Sequence, residues 1–265
     1  MRKRACYALV AIIFALSFTG CDEFFSTSKG TSRDYDSSKI PTLSAENVDP
    51  WFQASVRNPK LAVAVLDKIM QELSGNLGEK DKAKLLDVGR QLAVISSGIG
   101  ESILTNANAL ASLGDLTKVD PNTLTTIFGN IWSDFNSGGG NNAAGNLAAL
   151  AGKSLTVDNS TPQFDPAFAG SAKPADVGEA VMVLVLGILS DSGKDASDWN
   201  SLLDSGLPMG LNGSGDGVTV SAGASDKEIA LAAYLNLIVG DPQYHNNPIT
   251  SNIRDAFFSN DSNDN

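Results

Sequence analysis

The chain has 265 residues, with 30 acidic side chains against 19 basic ones and a formal net charge of −11 at pH 7. Hydrophobic residues make up 42% of the sequence, which excludes a globally disordered chain. Nucleic-acid binding needs a basic surface to displace counterions from phosphates, and this acidic composition excludes it. The two cysteines, Cys6 and Cys21, are too few for a disulfide scaffold.

The first 20 residues have the layout of a secretory signal. Basic residues at positions 2–4 precede an apolar run over 8–18, and the small residues Thr19 and Gly20 then lead to Cys21. The apolar run is too short to remain in a membrane comfortably as a spanning helix. The sequence therefore predicts a signal peptide over residues 1–20.

The end of this signal, Phe18-Thr19-Gly20-Cys21, resembles the lipobox of bacterial lipoproteins, which is usually Leu-(Ala/Ser)-(Gly/Ala)-Cys. Gly20 and Cys21 match that pattern, and Phe18 in place of Leu is a departure of the kind seen in the looser lipoboxes of spirochaetes. The resemblance implies cleavage before Cys21 and its acylation, for example with palmitate. The protein would then be anchored to a membrane of the bacterial cell envelope, on a periplasmic or surface face. The alternative is ordinary signal cleavage, which leaves Cys21 as a free thiol.

The predicted cleavage also changes the charge of the mature chain. It removes three basic residues and no acidic ones, so 16 basic against 30 acidic residues give −14. Anionic headgroups repel such a surface, and residues 22–45 are rich in Ser, Thr, Asp and Lys. We predict a lipidated Cys and flexible tether over residues 21–46, a helical domain over 47–258 and a disordered tail over 259–265.

Apolar residues recur at helical spacing along most of the remaining chain. The pattern predicts helices over residues 60–73, 79–96, 101–113, 121–135, 143–152, 175–190, 197–204, 225–239 and 247–258. The fold class is therefore all-α, an irregular bundle or stacked helical hairpins of about 8–10 helices. One short β-ribbon is allowed for, formed by Leu155 to Val157 and Val218 to Val220.

Two further patterns concern the organisation of the domain. Residues 136–146 contain four Gly and four Asn, which predicts a flexible loop and a candidate subdomain break. Residues 180–189 and 229–239 are apolar nearly all round, which predicts central core helices. Glu179 and Glu228 each precede one of these runs, which is a weak internal similarity between the two segments.

Motifs that carry chemistry are incomplete in this sequence. Gly152-Lys153-Ser154 lacks the earlier glycine of a phosphate-binding loop, because position 147 is Leu. The segment Asn212 to Gly217 is similar to a calcium loop, but Gly223 stands where the bidentate acid is required. The single histidine, His245, has no partner signature for a catalytic triad or a zinc site. We therefore predict no catalytic, cofactor-binding or metal-ligating residue, and no cofactor.

The favoured function is a non-enzymatic, lipid-anchored envelope protein whose helical domain binds or scaffolds a partner. The partner would be an envelope protein or a small apolar ligand held in a groove. Trp51, Trp132 and Trp199 are candidates to line that groove. The alternative is an envelope hydrolase using paired carboxylates, which sequence leaves open because acids distant in the chain can meet in space.

A second alternative is an auxiliary component of a solute transporter. The chain is similar to the all-helical, lipid-anchored T-component proteins of spirochaetal TRAP transporters in its anchor and helical content. It lacks the Trp, Gly, Tyr and Pro spacing of the TPR repeats that those proteins carry.

Overall fold

A computed structural model describes residues 35–56, 58–100, 121–193, 211–214, 217–247, 250–251 and 253–254. It contains the helices α1 (Val48–Ser55), α2 (Pro59–Glu72), α3 (Glu79–Ser96), α4 (Pro121–Ser137), α5 (Gly140–Gly152), α6 (Pro166–Ser171), α7 (Pro174–Asp191) and α8 (Asp226–Gly240). The strands are β1 (Leu155–Asp158), β2 (Thr161–Phe164), β3 (Leu211–Ser214) and β4 (Gly217–Val220). The predicted helices over 101–113 and 197–204, with Cys21, Trp199 and the tail, lie outside the described residues.

The predicted mostly helical fold is confirmed, and α7 lies at the centre of its core. All thirteen residues from Val177 to Leu189 are buried, as the run of apolar residues predicts. Helices α3, α5 and α8 pack against α7, and α2 packs against α3. In the part of the chain that the structure describes, no helix is both long and apolar enough to cross a membrane.

Local sequence signals fix where several helices begin. The Asn58 side chain accepts a hydrogen bond from the Leu61 amide, and Pro59 occupies the first turn of α2. At α8, Ser225 and Glu228 form a reciprocal capping box. The predicted starts of these two helices lie within a residue of the observed ones.

The Gly/Asn segment is not the flexible loop that we predicted. Helix α4 continues to Ser137, and α5 begins at Gly140 after a two-residue turn. The turn is tight because Gly138 has no side chain: a Cβ there would lie 2.9 Å from the Asp134 carbonyl oxygen. Gly139 has a φ of 83°, which glycine adopts without strain. One hydrophobic core continues on both sides of this turn, so the candidate break at 136–146 divides no core.

The predicted single β-ribbon is also wrong, because each β-like piece pairs with its own neighbour. Strands β1 and β2 form one antiparallel hairpin, and β3 and β4 form another. The turn residues Asn159 and Ser160 have φ values of 48° and 65°, as in the two-residue turns that match the twist of a hairpin. A local turn closes a hairpin with little loss of chain entropy, which favours neighbours over distant segments.

Asn236 on α8 joins the two hairpins. Its Nδ2 donates to the carbonyl oxygens of Pro162 (2.8 Å) and Val218 (2.9 Å), and its Oδ1 accepts from the Val218 amide at 2.6 Å. The Val220 amide also donates to the Ser160 carbonyl oxygen at 2.8 Å. Both hairpins therefore lie against the same helix.

The last part of the predicted tether is packed onto the domain. Ile40 and Leu43 are buried, and the Ala45 amide donates to the Asp81 carboxylate at 2.7 Å. A 3-10 turn at Ser37–Lys39 precedes them. The folded part thus begins before residue 47, because two isolated apolar residues in a polar segment are enough to dock it.

Candidate functional site

A cleft of about 290 Å³ lies between the first half of α3 and the start of α6. Helix α3 contributes Glu79, Lys82, Ala83 and Leu86, a spacing of three or four residues that places them on one helical face. The opposite wall consists of Asp165, Pro166 and Phe168. We call its apolar lining the floor, which consists of the nearly buried Leu86 and Phe168 and the exposed Pro166. We call its charged lining the rim, which consists of Glu79, Lys82 and Asp165.

The start of α6 is held in place by its own sequence. Asp165 caps the helix by accepting a hydrogen bond from the Phe168 amide at 2.8 Å, and Pro166 occupies the first turn. The Asp165 amide in turn donates to the Ser154 carbonyl oxygen at 2.8 Å. These bonds fix the wall that carries Phe168.

Phe168 also belongs to a buried polar cluster that adjoins the cleft. The guanidinium of Arg90, one helical turn beyond Leu86 on α3, lies 5.5 Å from the centre of the Phe168 ring. Arg90 Nη2 donates to Asp87 at 2.7 Å and to Asp176 on α7 at 3.0 Å. Only 1% of the Arg90 surface is exposed, and its Nε and Nη1 find no hydrogen-bond partner among the described residues.

Two acidic residues in the first half of α7, Asp176 and Glu179, have raised pKa values. Burial raises the pKa of Asp176, an effect that the nearby Arg90 partly offsets. Burial, reinforced by the Asp176 carboxylate, raises the pKa of Glu179 to about 8. Glu179 is therefore mostly protonated at neutral pH, while Asp87 and Asp176 share one cation.

Aromatic side chains surround this cluster on the side of the first hairpin. The Phe168 ring lies 4.3 Å from that of Phe164, and Phe164 meets the edge of Tyr234 at 4.8 Å. Burial raises the pKa of Tyr234 to about 12, so its phenol stays neutral. The Tyr244 hydroxyl donates a hydrogen bond to the Ala172 carbonyl oxygen at 2.9 Å. This bond connects the residues after α6 to the segment that follows α8.

The structure does not bring the predicted groove aromatics to this cleft. Trp51 on α1 and Trp132 on α4 are half-buried against the core, and neither lines the cleft. Trp132 stacks on Phe135, with 6.1 Å between the ring centres, so its ring packs against a neighbour on the same helix. Trp199 and the predicted lipidation site Cys21 lie outside the described residues.

The cleft and the buried cluster were not predicted from the sequence, although one signal pointed to them. Arg90 continues the helical face of Lys82 and Leu86 on α3, and a charge at such a position needs a buried partner. The sequence similarity around Glu179 and Glu228 did not indicate the cleft or the buried cluster. Glu179 is buried, whereas the Glu228 carboxylate caps its helix by accepting from the Ser225 amide at 2.7 Å.

The cleft lining and the single histidine show which reactive groups the described residues offer. The residues that line the cleft are two acids, a lysine and four apolar residues. His245 is half-buried with its Nε2 2.9 Å from the Val239 carbonyl oxygen. Within the described ranges, no group of three or more His, Cys, Asp or Glu side chains is placed to hold a metal ion.

The chain was also compared with known proteins. Searches against protein-family models, curated protein sequences and solved structures gave no match.

Proposed function

We propose that this protein is a lipid-anchored binding protein of the bacterial cell envelope, without enzymatic activity. The location rests on the basic, apolar and small residues that end in Gly20-Cys21. Acyl chains on Cys21 would hold the chain at a membrane, and the helices would form an irregular bundle carried above it. The acidic surface favours a domain that stands off anionic headgroups.

The observation that carries the binding role is the cleft between α3 and α6. Its floor of Leu86, Pro166 and Phe168 offers apolar surface, and its rim offers charges that can orient a ligand. The cap at Asp165 holds one wall in place, so a ligand would meet a preformed surface and lose little affinity to reorganisation.

A paired-carboxylate hydrolase is the second candidate, and Glu179 favours it. Its pKa of about 8 would keep a general acid protonated at neutral pH, and Asp176 lies one turn away on α7. Neither acid lines the cleft, however, and Asp176 is bonded to Arg90. Glycosidase acids instead flank the bond that they cleave, so the binding role is preferred. Loss of a measured hydrolase activity in Glu179→Gln, with the fold intact, would reverse that preference.

A role as a transporter component remains the third candidate. Within the described residues, the packed pair α2 and α3 is similar to the helical pair of a repeat unit. The two β-hairpins are not part of such repeats. Co-purification of the native protein with a membrane permease would support this candidate.

Metabolic labelling with palmitate, read by intact-mass spectrometry, tests the anchor. We expect a labelled species cleaved before Cys21, which disappears in Cys21→Ala. Cys6→Ala is the matched control, because Cys6 would leave with the signal and labelling should persist. An unlabelled wild-type chain would contradict the proposed anchor.

The binding role is tested on the same preparation. Small molecules and proteins retained through native purification are identified by mass spectrometry and compared with those retained by Ala83→Asp. This substitution places a charge on an exposed residue of the cleft lining and replaces no buried side chain. We expect retained material that the variant loses. If neither sample retains anything beyond detergent and bulk lipid, the binding role fails.

A further inference from the structure

We propose that the cleft between α3 and α6 binds a small amphipathic amine, with its ammonium group at the rim and its apolar body on the floor. This inference rests on the proposed binding function and names the ligand class of the same site. It follows from the charges around the cleft, the chemistry of its floor and its volume.

The charges at the rim favour a cation. Glu79 and Asp165 approach from opposite walls, and Lys82 supplies the single positive charge of the lining. Asp165 uses one oxygen to cap α6, but a carboxylate has several acceptor sites and keeps capacity for a ligand. A ligand ammonium in the cleft would be attracted by both carboxylates, whereas a ligand anion would be repelled by both.

The floor determines the chemistry of the ligand's body, which we expect to be apolar. The exposed Pro166 and the small exposed parts of Leu86 and Phe168 present aliphatic and aromatic surface that a fully hydrated polar molecule would not cover favourably. A volume of about 290 Å³ is at the small end for ligand sites, which indicates a compact molecule such as an arylalkyl or alkyl amine. The site thus selects for one positive charge on a short apolar body.

Three probes with similar apolar bodies and different charges test this assignment. They are 2-phenylethylamine, the neutral 2-phenylethanol and the anionic 3-phenylpropionate. Each is titrated into the purified full chain in zwitterionic detergent, with the amide NMR shifts of the cleft residues as the readout. Probes of this size bind with a Kd of about 1 mM or weaker, which this readout measures.

We expect the amine to bind at least about fivefold more tightly than the alcohol, and the carboxylate to bind most weakly. Glu79→Gln and Asp165→Asn should each weaken amine binding by about fivefold, with little effect on the alcohol. Asn retains the cap at position 165, so the wall stays in place. Asp226→Asn is the matched control, because it removes an acidic charge away from the cleft. Asp226 is the first residue of α8, and its neighbour Lys227 pairs with Asp191, at the opposite end of α7 from Asp176.

The proposal is overturned if the alcohol or the carboxylate binds as tightly as the amine. Absence of cleft shifts with the amine up to about 50 mM overturns it as well. If Asp226→Asn weakens amine binding equally, the amine is attracted non-specifically to the acidic surface, and this outcome would also count against the proposal. If Asp165→Asn unfolds, Glu79→Gln and the salt dependence of amine binding decide the outcome. Retention of a neutral ligand from the native source would overturn the amine while leaving the binding function intact.

Discussion

Arg90 on α3 and Asp176 on α7 are 86 residues apart in the sequence, yet Arg90 Nη2 donates to Asp176 Oδ2 across 3.0 Å. This ion pair connects the helix that lines the cleft to the central helix of the core. Its arginine is almost fully buried, and its aspartate is largely buried. Such pairs add little net stability compared with apolar side chains, but the loss of one partner leaves an uncompensated charge.

Arg90→Met should therefore destabilise the protein by about 3–5 kcal/mol, because it leaves the Asp176 and Asp87 carboxylates without their cation. Urea unfolding followed by circular dichroism gives the free energy of unfolding. The double variant Arg90→Met/Asp176→Asn should recover much of the loss, since the stranded buried charge is then gone. Equal destabilisation in the single and double variants would contradict this account.

The stability of the protein should fall as pH rises from about 5 to about 8. The pKa of Glu179 is about 8 in the folded state against 4.5 for an unperturbed glutamate, so the folded chain holds a proton over this range that the unfolded chain releases. The contribution is complete below the unfolded pKa and is lost as pH rises through the folded pKa. Glu179→Gln removes it, and should raise the free energy of unfolding at pH 7 by about 3 kcal/mol relative to wild type.

The measurement is urea unfolding at several pH values for both proteins. Glu179→Gln should show a shallower decline between pH 5 and 8, whereas the exposed control Glu46→Gln should keep the slope of the wild type. A wild-type stability that is constant or rises over this range would contradict the burial of a titrating Glu179.

The first hairpin carries a strained residue that glycine should relieve. Ser160 has a φ of 65° in a two-residue turn, a conformation that costs a residue with a Cβ about 1 kcal/mol or more. Ser160→Gly should raise the melting temperature and stabilise the fold by about 0.5–1 kcal/mol. Ser160→Ala keeps the Cβ, so it should give no gain, and an equal gain in both variants would point away from backbone strain.

Helices α5 and α7 approach each other closely at Gly187. A Cβ at this position would lie 2.4 Å from the Ala144 Cβ, well inside van der Waals contact. Gly187→Ala should therefore destabilise the protein by about 1–3 kcal/mol. Adding Ala144→Gly should restore part of that loss, as measured by a double-mutant cycle. The absence of coupling between the two substitutions would show that the helices simply move apart.

The described helices could largely be predicted from the sequence, because their apolar spacing and caps are local signals. Helix α3 was predicted with its observed bounds, and α7 was predicted as a central helix from its continuous apolar run. One strand of each hairpin was predicted, at residues 155–157 and 218–220, but the partner strands were missed. The strands are only four residues long, and one turn uses Asn159 and Ser160, not the glycine that such turns favour. The turn between α4 and α5 was mistaken for a loop because glycine indicates both flexibility and close approach.

The cleft could not be predicted, because its two walls meet only through the tertiary fold. Lys82 and Leu86 mark one face of α3, but nothing in that helix shows that Asp165 and Phe168 lie opposite. The pairing of Arg90 with Asp176 is likewise a contact between distant parts of the chain. Sequence periodicity shows which faces of a helix are apolar, but not which helices they contact.

The position of Asn236 also bears on the order in which the chain acquires its structure. Its amide contacts Pro162 and Val218, so both hairpins depend on a residue that follows them in the sequence. Because a two-stranded hairpin is marginally stable by itself, neither hairpin is expected to be stable until α8 has formed and packed against it. For the first hairpin this contact closes a separation of 74 residues, and such non-local contacts slow folding.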